Sequence, residues 1–76
     1  MNTIVKFQTK YQKATGLLRK KSSEEVDLFF KTDDADHLQR AREHICTIEE
    51  LYMARRTNQK TLLDAMCDGV IQTLCN

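Results

Sequence analysis

Proline is absent from the 76 residues of this chain, and glycine occurs only at Gly16 and Gly69. An all-β fold needs turn residues about every ten positions, so this chain cannot punctuate one, while little in it interrupts long helices. The expected fold is therefore all-α, a small helical bundle built on an antiparallel helical hairpin of residues 34–56 and 58–75, in a single domain spanning residues 1–76.

Helical periodicity is clearest in the second half. Over residues 34–56, Leu38, Ala41, Ile45, Ile48 and Tyr52 fall on one stripe with Leu51 at its flank, and Arg55 and Arg56 suit the negative end of a helix dipole. Asp33 or Asp34 supplies the cap at its start. Over residues 58–75, Leu63, Met66, Val70 and Leu74 make a second stripe, widened by Leu62, Cys67 and Ile71, with Asn58 as the expected N-cap. Gly69 inside that stripe predicts either a helix end near Asp68 or a close approach by another backbone. Between the halves, Ser22 and Glu25 form a capping-box pattern, which predicts a separate short helix over residues 22–31 with Val26, Phe29 and Phe30 on one side.

The first 21 residues read two ways. As a helix, Ile4, Phe7, Tyr11, Ala14 and Leu18 alternate steps of three and four, a narrow seam with Lys6, Lys13 and Lys20 along the opposite side. As a strand, Thr3, Val5, Phe7, Thr9 and Tyr11 share one face, and a β-hairpin with Val26-Asp27-Leu28-Phe29-Phe30 followed by two helices is the α+β alternative. The helical reading is preferred, because the seam continues through Leu18 and Leu-Leu-Arg-Lys-Lys is poor strand material.

The formal net charge of +1 conceals an uneven division. Residues 1–21 carry six basic and no acidic side chains, whereas the rest carry six basic and eleven acidic. The two parts should attract each other or take separate partners. Cys46, Cys67 and Cys75 cannot all pair within one chain and form no Cys-x-x-Cys, so the sequence suggests neither a disulfide framework nor a zinc site. Lysines interrupt the first ten residues where a secretory signal has an apolar run, and no stretch reaches the ~20 apolar residues of a membrane span. A cytoplasmic protein is expected.

Glu43-His44-Ile45-Cys46-Thr47-Ile48-Glu49-Glu50-Leu51 gathers the residue types of a reactive site, but a helix turns about 100° per residue, so His44 and Cys46 point about 160° apart. They make neither a nucleophile-base pair nor two ligands of one metal. Glu43, Glu49 and Glu50 lie at helical spacings from Cys46 and supply no base positioned for it. With no phosphate-cradling glycine loop, nucleophile elbow or metal motif either, no enzyme activity, cofactor or small-molecule substrate is expected.

What remains is association. A domain this short buries a modest core, and the stripes offer more apolar surface than it can cover. The expected function is a non-catalytic protein-protein interaction module, a regulator, adaptor or chaperone-like subunit that binds a protein partner or forms a homodimer. Ile4, Phe7, Tyr11, Leu18, Phe29 and Phe30 are the candidate contacts. The alternative is a nucleic-acid-binding regulator using Lys6, Lys13 and Lys20, or the turn over residues 55–61, where Arg55, Arg56, Asn58 and Lys60 are types that contact bases or phosphates.

Overall fold

A computed structural model of the chain describes residues 9–75. Three helices follow one another up, down and up: α1 (Lys10–Thr32), α2 (Ala35–Arg56) and α3 (Lys60–Cys75). No strand occurs among the described residues. The α+β alternative therefore gives way, since Val26 to Phe30, the strand it needed as a partner, lies inside α1.

α1 begins with a reciprocal cap. The Thr9 hydroxyl accepts from the Gln12 N–H at 3.1 Å, and Gln12 Oε1 accepts from the Thr9 N–H at 3.1 Å. The helix then runs unbroken through Ser22, so the separate helix over residues 22–31 is corrected to the second half of α1. The physical reason is that Ser22 lies 7 % exposed where α1 meets α2, its hydroxyl donating to the Ala41 carbonyl at 3.4 Å. A cap is worth about 1 kcal/mol, less than one continuous buried face along α1.

Two residues turn the chain into α2. Asp33 takes the left-handed conformation (φ 59°, ψ 26°) and its N–H donates to the Phe29 carbonyl at 2.7 Å. Asp34 then caps α2, its side chain accepting from the Asp36 N–H at 3.0 Å. At the other end of α2, Asn58 is also left-handed (φ 60°), and its N–H donates to the Arg55 carbonyl at 3.1 Å. Asn58 thus terminates α2 instead of capping α3, which starts at Lys60 rather than residue 58. α3 continues through Gly69 to Cys75, and a Cβ added at Gly69 would meet nothing within 4 Å. Neither expectation for that glycine holds.

The core is small. Ala14, Leu18, Leu51 and Cys67 are buried together, and Ile48 of α2 with Leu63, Met66 and Val70 of α3 packs around them. From α1 the cluster draws only on residues 11–18, because α3 is the shorter helix, about 24 Å against about 35 Å at the usual rise. Lys10 Nζ bonds Asp64 Oδ1 at 2.9 Å and Asp68 Oδ1 at 3.0 Å, which sets α3 level with the start of α1. The far end of the α1–α2 hairpin therefore projects past α3 as a two-helix arm.

Candidate interaction surface

Helix α2 has to serve two neighbours, and this decides which of its apolar residues stay exposed. Toward α1 and α3 it buries Ala41 (1 % exposed), Leu51 (0 %) and Ala54 (4 %), with His37, His44 and Ile48 half-buried beside them. The expected stripe is split by that rotation. Ala41 and Ile48 go inward, whereas Leu38, Ile45 and Tyr52 remain 39 %, 47 % and 50 % exposed. Spaced seven apart, these three form one line along the outside of the helix. On α1, Leu28 and Phe30 are exposed on the arm beyond α3, Phe30 to 78 %.

A polar cluster holds the arm together. His37 Nδ1 donates to Glu25 Oε1 at 2.7 Å, and Arg40 Nε donates to the same oxygen at 3.3 Å. The His37 hydrogen bond, seconded by Arg40, holds the Glu25 carboxyl below its ordinary value. At the opposite end Asp64, then Asp68, raises the Lys10 ammonium above its ordinary value, and Arg55 lies 4.6 Å over the Tyr11 ring. A second apolar surface is the open groove between α2 and α3, where Cys46, Met53, Leu62 and Met66 line the walls and Glu49 and Glu50 the rim.

The residues singled out in the sequence are scattered among these environments. Ile4, Phe7 and Lys6 lie outside the described residues. Leu18 is 2 % exposed in the core and Tyr11 is half-buried beneath Arg55, so the α1 seam is occupied by the chain itself. Leu18 so placed offers little to another molecule, whereas the partly exposed Tyr11 remains a candidate contact. Phe29 is half-buried, and among the described members of that set Phe30 alone is freely presented. Lys13 and Lys20 are exposed on α1, whose start lies beside the α2–α3 turn that carries Arg55, Arg56, Asn58 and Lys60, and the carboxylates of Asp64 and Asp68 stand near that turn. His44 is half-buried and Cys46 exposed, on separate faces. Among the described residues, no group of three or more His, Cys, Asp or Glu side chains is arranged to hold a metal ion. No described helix is long and apolar enough to cross a membrane.

The line of Leu38, Ile45 and Tyr52 is what sequence reasoning missed. Its signal was present in the width of the α2 stripe, which with Leu51 on the flank is too broad for one neighbouring helix. Comparison of the chain with known protein families, curated proteins and solved structures yields no match.

Proposed function

We propose that this chain is a small, non-catalytic protein-protein interaction module, a regulator, adaptor or chaperone-like subunit of the cytoplasm, that works by presenting an apolar helical face to another polypeptide. The observation that carries this reading is the exposure of Leu38, Ile45 and Tyr52 in one line, with Phe30 on the adjoining helix of the arm. Large apolar side chains gathered on a helix face are costly in water and become favourable when a partner covers them. Arms of this kind bind by helix-on-helix packing, with aromatic side chains such as Phe30 and Tyr52 as anchors.

The test is the double substitution Leu38→Glu with Ile45→Glu, followed by sedimentation of the purified chain and by capture from its native cells. Helix content should be unchanged, because both side chains already face solvent, while assembly of either kind should be lost. The control, Lys13→Glu with Lys20→Glu, should leave assembly intact. If the lysine pair abolishes a salt-dependent association with nucleic acid and the apolar pair alters no complex, the interaction reading is wrong.

A further inference from the structure

We propose that the occupant of the Leu38, Ile45 and Tyr52 line is a second copy of this chain, the two α2 helices lying antiparallel about a two-fold axis that passes at Ile45. This rests on the interaction reading above and makes it specific. With the axis there, Ile45 meets its own counterpart, and Leu38 of one copy lies opposite Tyr52 of the other, since each is seven residues from the axis. A leucine against an aromatic ring at both ends, with isoleucine against isoleucine between them, fills such a seam.

Charge selects this register. Arg42 and Glu49 stand on one flank of the apolar line, three residues before Ile45 and four after it. In an antiparallel pair like flanks face each other, so Arg42 of each copy comes within one residue of the level of Glu49 of the other, twice over. Arg56 likewise comes opposite Asp34, each eleven residues from the axis. Among the described residues, Arg42, Glu49 and Arg56 have no ion pair within the chain, so all three are free to make these contacts. Moving the axis half a heptad sets Arg42 against Arg42 or Glu49 against Glu49. A parallel pairing turns the charged flank toward the side where Ala41 and Ile48 already pack inside the chain, and leaves both charges unpaired. The antiparallel pairing at Ile45 is the arrangement in which apolar and charged positions match together.

The register is read by crosslinking in a chain carrying Cys46→Ser and Cys75→Ser, with buried Cys67 retained, using a short bismaleimide. Ile45→Cys should link to itself. Leu38→Cys alone and Tyr52→Cys alone should not, because seven residues on either side of the axis separate like positions by about 21 Å, yet a mixture of the two should link. Independently, Arg42→Glu should weaken self-association about tenfold, and adding Glu49→Arg should restore it. Leu38→Cys linking to itself as readily as Ile45→Cys would overturn the antiparallel register. A chain that stays monomeric to about 1 mM and gives no crosslink would overturn self-pairing altogether. The interaction reading fails separately, only if the Leu38→Glu, Ile45→Glu chain keeps every partner of the wild type.

Discussion

His37 Nδ1 lies 2.7 Å from Glu25 Oε1, so an imidazole in the first turn of α2 is tied to the middle of α1 on the part of the hairpin that α3 does not reach. The bond has a direction in pH. The folded state holds the Glu25 carboxyl below its ordinary value near 4.5, chiefly through His37 and then Arg40. A depressed carboxyl stabilises the fold fully above its unfolded pKa and ceases to do so as pH falls through the folded one. Glu25→Gln should therefore lower the Tm at about pH 6, and the difference from wild type should shrink as the pH falls through the lowered folded-state value. Parallel thermal melts across that range decide it; a difference that grows on acidification would contradict the assignment.

Alanine at either glycine should stabilise the protein. Gly16 and Gly69 both sit inside helices, and a Cβ at each meets nothing within 4 Å. The gain expected from helix propensity is about 1 kcal/mol per site, and the two should add because the sites share no partner. Urea melts of the single and double variants measure it.

The thiols should separate into two classes. Cys46 and Cys75 are exposed, whereas Cys67 is 1 % exposed, and burial first, then Asp64 and Asp68, raises its thiol above the ordinary value. A chromogenic disulfide reagent at mildly alkaline pH should titrate Cys46 and Cys75 promptly and Cys67 only after denaturant is added. Prompt reaction of all three would show that α3 is not docked as described.

Core and line residues should differ sharply in their effect on the isolated chain. Leu51→Ala, at a fully buried position, should cost about 2–5 kcal/mol, and Ala41→Leu, crowding the approach of Ser22, about 1–3 kcal/mol. Ile45→Ala should change stability by less than about 0.5 kcal/mol at protein concentrations too low for association. Denaturant titrations at two concentrations keep the fold and the assembly apart.

The helical class was legible because it follows from local chemistry: the missing proline, the caps at Asp34 and the periodic stripes. Boundaries were less so where two local signals competed. Ser22 and Glu25 spell a capping box, yet Ser22 faces the Ala41 carbonyl and Glu25 faces His37, partners nineteen and twelve residues away. Those contacts belong to the pairing of α1 with α2, which no short window contains. The inward use of part of the α1 seam was hidden for a similar reason. Tyr11 and Leu18 form a seam fit for either a partner or the chain's own core, and only the docking of α3 beside Lys10 assigns it inward. Leu38, Ile45 and Tyr52 are then among the apolar residues left over.

The turn at Asp33 and Asp34 also sets an order of folding. With two residues between α1 and α2, the bonds from Ser22 to Ala41 and from Glu25 to His37 close short loops, and so cost little chain entropy before they form. α3 must instead bring Asp64 and Asp68 back to Lys10 across 54 and 58 positions. The hairpin can zip from its turn while α3 is still unattached, and the four-residue heart of the core, which needs Cys67, is completed last. Substitutions at Ser22 or Ala41 should accordingly slow folding, and those at Cys67 or Val70 should chiefly hasten unfolding.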